Sequence, residues 1–471
     1  MMFQIHPISQ ETVNELGFIP YHERYLQDPT DNAINQERRI HEKRAEKRMH
    51  IFQNILNNTQ PACGIIRPLA TSLASVVIAI ILIGSYTMVP VHNVFEYPEK
   101  WFEYPLQCLF SFWPIYAAHI LFDSIYFLNT DYIRTLKTFA ALFSAVVVVS
   151  GIEFALSYYI WAFVFGLRYP VPLIGYINFF TMTVTNLSMI WFQFPSTWRN
   201  NQAFRRRLKW NMLTILALNL CVAEYIGFTA ALVLTPEGFQ WVIAIILPFF
   251  REINVWITTS LLKNCHDGDP LGGKIYIIQC LSNIHSAFLA YSVGTLATLT
   301  TSIVIIAGDF IINILNSLRL IRLKHKEDNF ENNMERIDII LDLVISELTE
   351  ALTPLTYLGC VIMAYYGPNA ETIGNIRNSW FHFSEIEDFD YSLEIVAALF
   401  FFDLGSVAMT AGLLWKFCHI NLFQAFAALQ NEFWLAFGNN LVTSFLGVRI
   451  KFNWFKNREK LSYLMSKINS Y

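Results

Sequence analysis

Ionisable side chains interrupt several long apolar segments of this sequence, and they are the residues best suited to chemistry. In chain order they are His119, Asp123, Glu153, Glu224, Arg251, Glu252, His285, Asp309 and Asp403. An ionisable group at bilayer depth costs roughly 2.5–3.5 kcal/mol on insertion scales, so each one calls for a partner or a function. The alternative to a functional role is that these groups pair and hold helices together, because lipid supplies no hydrophobic force for helix association.

Helical spacing places several of these groups on polar stripes. In segment 104–128, one helix face carries Tyr116, His119, Asp123 and Tyr126, which follow at i, i+3, i+7 and i+10. Three further segments have similar stripes: Ser150, Glu153 and Ser157; Asn178, Thr181, Thr185 and Ser188; and Thr298, Ser302, Asp309, Asn313 and Asn316. Stripes that face lipid would be costly, so we expect the four to face one another around a wet or hydrogen-bonded interior.

One stripe contains a candidate titratable pair. His119 and Asp123 are one helical turn apart, so the imidazole and the carboxylate can share a proton near neutral pH. The structural alternative is a fixed hydrogen bond that never titrates.

A second pair of charges differs in geometry. Arg251 and Glu252 are adjacent and point to different helix faces, so they cannot simply neutralise each other. We expect Arg251 to meet Glu224, Asp309 or an anionic ligand. The alternative is that Arg251 extends to a membrane interface.

The composition defines the class of protein that carries these residues. The chain has 471 residues, of which 54% are hydrophobic and 15% are charged, whereas an ordinary soluble domain has about 25% charged residues. Its long apolar segments are joined by stretches that are alternately rich and poor in Arg and Lys. A bilayer core of about 30 Å requires about 20 helical residues per crossing. The sequence therefore predicts an all-α, polytopic membrane bundle of about 8–10 transmembrane helices.

Charge and hydropathy divide the chain into five parts. They are a polar, basic N-terminal segment (1–64), membrane helices (65–317), a cytoplasmic amphipathic connector (318–350), the last membrane helices with an acidic extracellular loop at 368–391 (351–418), and an interfacial helix or re-entrant segment with a basic tail (419–471). Basic residues beside the apolar segments predict that both termini are cytoplasmic.

The number of crossings depends on two segments. Pro248, Arg251 and Glu252 predict a broken helix near 240–262, and the long apolar stretch 275–317 predicts a hairpin that turns near Gly294, which gives ten crossings. In the alternative, 240–262 is re-entrant and 275–317 is one long tilted helix, which gives eight.

Other classes of site find little support in the sequence. The seven scattered cysteines read as small buried residues, and no metal-binding, phosphate-binding or nucleophile motif is present, so no metal is predicted and no cofactor is identified. The basic residues flank membrane segments, which argues against a nucleic-acid partner. The expected partners are the lipid bilayer and a small solute or ion, and oligomerisation is compatible with this pattern.

Three functions fit the pattern. The first is a secondary transporter, ion- or proton-coupled, for an ion or small polar solute. The second is an ion channel or chemosensory receptor-channel whose oligomer forms a pore. The third is an intramembrane lipid-modifying enzyme that uses His119 or His285 as acid and base. The pathway candidates are Tyr116, His119, Asp123, Glu153, Thr181, Thr185, Glu224, Arg251, Glu252, His285 and Asp309.

Overall fold

The computed structural model describes most of the chain between the two ends. The described residues are 70, 73–82, 113–128, 136–164, 174–194, 196–265, 271–295, 299–324, 330–366, 386–423 and 425–426. The predicted N-terminal segment, the acidic loop and the basic tail lie outside these ranges.

Eleven α-helices make up nearly all of the described residues, which contain no strand. They are α1 (Leu73–Leu82), α2 (Trp113–Leu128), α3 (Leu136–Tyr159), α4 (Ile174–Gln193), α5 (Ser196–Asn200), α6 (Gln202–Leu234), α7 (Gln240–Leu262), α8 (Leu271–Thr295), α9 (Leu299–Lys324), α10 (Phe330–Tyr366) and α11 (Ile386–Leu413). Short π-helical turns extend α3 to Val164 and α11 to Cys418. The predicted all-α class is confirmed.

Four helical segments are long and apolar enough to cross a bilayer. By length and composition they are Ala140–Tyr159, Gln240–Leu262, Thr300–Leu323 and Leu393–Cys418. Their outer surfaces expose large apolar side chains, for example Ile152, Trp256, Ile311 and Phe401. Many polar and charged side chains are buried instead. This inverted distribution is what a lipid environment favours, since lipid solvates apolar side chains and leaves polar ones to pair inside the bundle.

Helix α8 forms the centre of the bundle. Every side chain from Ile275 to Ala290 is buried, which no other described helix matches over such a length. Helices α7, α10 and α11 pack around it, with α6, α9 and α2 making smaller contacts. Helices α2, α3 and α4 pack on one another to one side, and α6 joins them to α7 and α8.

The predicted hairpin is confirmed, whereas the predicted break is not. Residues 275–317 belong to two helices, α8 and α9, rather than to one long helix. Helix α7, in contrast, is continuous from Gln240 to Leu262, so the broken helix expected near 240–262 is wrong. Arg251 does not interrupt the helix because acidic side chains from another helix neutralise it, as described below.

The predicted connector 318–350 is also wrong. Residues 318–324 complete α9, and the rest of the segment largely belongs to α10, which continues without a break into the apolar stretch that follows. Side chains of α10 from Ile339 to Glu350 are mostly buried and pack against α8 and α11. Because the helix is continuous, this segment is not a separate connector, and α10 enters the bundle about three turns earlier than hydropathy indicated.

The cysteines agree with the sequence-based interpretation where they are described. Cys221, Cys265, Cys280, Cys360 and Cys418 are buried, and no disulfide joins any two of them. They fill space in the bundle and form no disulfide framework.

Candidate functional site

A buried guanidinium joins two helices. Arg251 on α7, 2% exposed, donates through Nη1 to Glu350 Oε1 and through Nη2 to Asp342 Oδ1, both at 2.8 Å. Both carboxylates lie on α10. The side chain of Glu252 comes within 3.8 Å of Arg251 Nη2, so adjacent charges do approach each other here. The planar guanidinium suits this arrangement, because its separate N–H groups can serve two carboxylates at once.

This contact extends to α9 and α8. Asn313 Nδ2 on α9 donates to the second oxygen of Glu350, Oε2, at 3.0 Å. One turn earlier on α9, Asp309 Oδ1 lies 3.5 Å from His285 Nε2 on α8. His285 Nδ1 is 3.0 Å from the hydroxyl of Tyr225 on α6. We call the connected set, with the acidic residues described next, the Arg251 network.

Glu347 lies near this set and forms no ion pair with a described basic side chain. Glu347 on α10, 1% exposed, accepts a hydrogen bond from the Thr410 hydroxyl at 2.7 Å and a longer one from Ser406 at 3.3 Å, both to Oε1. Asp403, one turn before Ser406 on α11, interacts electrostatically with Glu347 and Asp309.

Acidic groups outnumber basic ones in the Arg251 network. The described carboxyl groups are those of Glu252, Asp309, Asp342, Glu347, Glu350 and Asp403. The described basic groups are those of Arg251 and His285, with Arg319 acting on Glu252 from the edge of the network. Burying a carboxylate without a compensating partner is costly. The balance therefore favours bound protons or a cation within this part of the bundle.

The network lies near the middle of the helices. Arg251 is eleven residues from each end of α7, or about 16 Å at the helical rise of about 1.5 Å per residue. Lys274, near the start of α8, forms an ion pair with Asp338 on α10. Glu350 follows Asp338 by twelve residues, about 18 Å, which agrees with the position of Arg251.

The predicted His119–Asp123 pair is present, but the closest contact of Asp123 is with Tyr276 on α8. His119 Nε2 lies 3.9 Å from Asp123 Oδ2. The Tyr276 hydroxyl on α8 donates to Asp123 Oδ1 at 2.6 Å. Asp123 thus connects α2 to the central helix. The side chains of Tyr116 and Tyr126 lie outside the described part of the structure.

Glu153 and Thr185 meet as their stripes predicted. The Thr185 hydroxyl on α4 donates to Glu153 Oε1 on α3 at 2.7 Å. Thr181, on the same face of α4, is half-buried. Ser188 is exposed and bonds its own helix, so the stripe on α4 does not face inward along its full length.

The four stripes do not surround one interior. Asp123 bonds α8, Glu153 bonds α4, and Asp309 approaches α8, so the predicted common interior separates into distinct contacts. Helical spacing identifies the residues that share one face of a helix. It carries no information on which helices become neighbours.

Neither acid expected beside Arg251 forms its close ion pairs. Glu224 on α6 is exposed and accepts a hydrogen bond from Asn254 at 2.9 Å. Asp309 interacts with Arg251 electrostatically but forms its close contact with His285. The acids that bind Arg251, Asp342 and Glu350, were assigned to the connector.

One sequence signal could have identified Glu350, together with Glu347. The apolar segment assigned to the ninth crossing, 351–366, has sixteen residues, fewer than the about 20 that a crossing requires. The helix must therefore recruit residues before 351, and those residues include Glu347 and Glu350.

Comparisons with protein-family models, with curated proteins and with solved structures found no match to this chain. Within the described ranges, no group of three or more His, Cys, Asp or Glu side chains is arranged to hold a metal ion. The candidate site is therefore defined by its own geometry: a buried acidic network around Arg251 and, beside it, Glu347 with two hydroxyl donors.

Proposed function

We propose that this chain is a multi-pass membrane protein that acts as a secondary transporter, ion- or proton-coupled, for an ion or small polar solute. The observation that carries the proposal is the excess of carboxyl groups over basic groups near the middle of the helices. Ionisable groups at this depth typically belong to ion pathways or proton relays.

The arrangement of helices supports a pathway within one chain. The acidic groups gather beside the enclosed helix α8, and the outer faces of α7, α9 and α11 expose apolar side chains such as Trp256, Ile311 and Phe401. A pore on a symmetry axis between subunits would instead need polar outward faces. This observation favours a transporter over the oligomeric channel.

Coupling follows from the shared arginine. Arg251 binds two carboxylates of α10 from α7, so a change in the charge of either acid changes the attraction between these helices. Proton or cation binding at the network can therefore alter helix packing, which is what alternating access requires.

The test is ion flux in proteoliposomes. Purified protein is reconstituted with an internal pH dye, and flux is driven by pH, sodium or potassium gradients with a defined membrane potential. We expect gradient-driven proton or cation flux that Glu350→Gln abolishes and that Glu335→Gln, which alters an ion pair with the exposed Arg319, preserves. Folded wild-type protein that moves no ion under any gradient contradicts the proposal, and stepwise single-channel currents favour the channel.

A further inference from the structure

Glu347 differs from the other buried acids of α10 in what surrounds each of its oxygens. Oε1 accepts hydrogen bonds from two hydroxyls of α11, those of Thr410 and Ser406. Oε2 is buried and has no hydrogen-bond partner among the described residues. One oxygen is thus fully engaged by neutral donors, and the other is left open inside the bundle.

Among the described residues, no basic side chain forms an ion pair with Glu347, on which Arg251 acts only at a distance. Arg251 directs Nη1 to Glu350 and Nη2 to Asp342, so its two terminal nitrogens are already engaged. An ionised carboxylate that is 1% exposed and lacks a counter-charge is strongly disfavoured.

The charged groups around Glu347 reinforce this conclusion. They are Arg251 on α7, Asp309 on α9, Asp403 on α11 and Glu350 on its own helix, while α8 contributes His285 through its contact with Asp309. Like charges nearby disfavour a further negative charge. The surroundings call for a positive partner at Glu347.

A proton fits the open oxygen better than a metal cation does. A hard metal cation takes several oxygen ligands around one point, and the described residues hold no group of three or more carboxylate, His or Cys side chains so arranged. A proton needs one oxygen, and Oε2 is that oxygen. Proton binding needs no co-reactant. A hydrated proton forms the O–H bond at Oε2, and when that bond breaks the proton returns to water.

We propose that Glu347 is a proton-binding site, with the proton carried on Oε2 while Thr410 and Ser406 hold Oε1. This inference rests on the proposed function and deepens it, since it makes the proton the coupling ion. The two hydroxyls set the proton affinity: a donor to Oε1 stabilises the ionised carboxylate and so opposes proton binding.

The test is infrared spectroscopy of the full-length protein in lipid nanodiscs across a pH titration. We expect a C=O band of a protonated carboxylic acid that disappears as pH rises and that is missing in Glu347→Gln. Thr410→Val should move the midpoint of this band upward by about 1–2 pH units. A hydrogen bond to a charged group contributes about 1.5–3 kcal/mol, and one pH unit corresponds to about 1.4 kcal/mol. The matched control is Thr356→Val, whose buried hydroxyl bonds its own helix at the carbonyl of Leu352.

Several outcomes overturn the inference. They are a protonated-carboxyl band that survives in Glu347→Gln, no titrating band at any pH, or a band that sodium removes at constant pH. If Glu347→Gln does not fold, an unmoved midpoint in Thr410→Val overturns it as well. If Glu347 titrates but the protein moves no ions, the proton site is upheld and the proposed transport is refuted. If the protein moves ions but Glu347 does not titrate, transport is upheld and the proton site is refuted.

Discussion

Acidic groups are stabilised differently in the two halves of the bundle. In the α2–α4 group, Asp123 is bonded by Tyr276 of α8, and Glu153 is bonded by Thr185. These carboxylates are served by neutral hydroxyls, at separate places. In the α7–α11 group, Asp342 and Glu350 share Arg251, and further acids lie within electrostatic reach of Glu350.

This difference distinguishes contacts that only hold helices together from contacts that are candidates for a function. A carboxylate that has a hydroxyl donor and no other acid beside it joins two helices through a single contact. A network in which several acids share one base changes as a whole when one member gains a proton, because every other interaction is altered. The Arg251 network therefore has the properties of a switch, whereas the contacts of the α2–α4 group have those of fixed attachments.

The largest expected effect is in the Arg251 network. Arg251→Met leaves Asp342 and Glu350 without their counter-charge, and breaking a buried ion pair this way costs about 3–5 kcal/mol. Denaturant unfolding of the purified protein in detergent measures the free energy of unfolding. The matched control is Arg319→Met, which removes an exposed ion pair with Glu335 and should cost at most about 1 kcal/mol. Equal losses in the two variants would remove the special status of Arg251.

The next effect tests the attachment of α2 to α8. Tyr276→Phe deletes the hydroxyl that donates to the buried Asp123, and it should lower the free energy of unfolding by about 1.5–3 kcal/mol. Tyr159→Phe removes an exposed hydroxyl on α3 and should change stability by less than about 0.5 kcal/mol. Ion flux should persist in the folded fraction of Tyr276→Phe. Loss of flux without loss of stability would place Asp123 in the mechanism.

The sequence predicts the elements of this fold better than their neighbours. Hydropathy located helices at all ten predicted crossings, because an apolar stretch of sufficient length needs no tertiary information to indicate a helix. The point at which α10 enters the bundle was misplaced, because hydropathy contains no information on tertiary contacts. The acids Glu347 and Glu350 of α10 look like solvent-facing residues until the partners on α7 and α11 are known.

The candidate site was harder to predict than the helices. Arg251 was recognised from its position within an apolar segment, and Glu153 and Thr185 from their stripes. The pairing of Arg251 with residues 91 and 99 positions away could not be predicted, because it depends on helix packing rather than on spacing along one helix. The same holds for Tyr276, whose hydroxyl lies 153 positions from its acceptor.

A smaller effect is expected between α3 and α4. Thr185→Val removes the donor to Glu153, and an interhelical hydrogen bond within a membrane is worth roughly 0.6–1.7 kcal/mol, so the cost should be about 1 kcal/mol. Thr353→Val is the matched control, because its hydroxyl bonds the carbonyl of Thr349 in its own helix and its loss should be nearly neutral. Unfolding in detergent compares the two. A loss above that of Tyr276→Phe would mean that Glu153 belongs to a larger network than the described contacts indicate.

The smallest effect concerns the turn that follows α7, which contacts α6 through Cys265. Burial raises the pKa of Cys265 to about 11, and its Sγ lies 3.7 Å from the Thr214 hydroxyl of α6. A thiol with this pKa remains protonated below it, so on the order of one molecule in a thousand carries the reactive thiolate at pH 8. Maleimide labelling of Cys265 should therefore be negligible at pH 8. Asn264→Cys, at an exposed neighbouring position, should label rapidly. Rapid labelling of Cys265 itself would show that this turn opens away from α6.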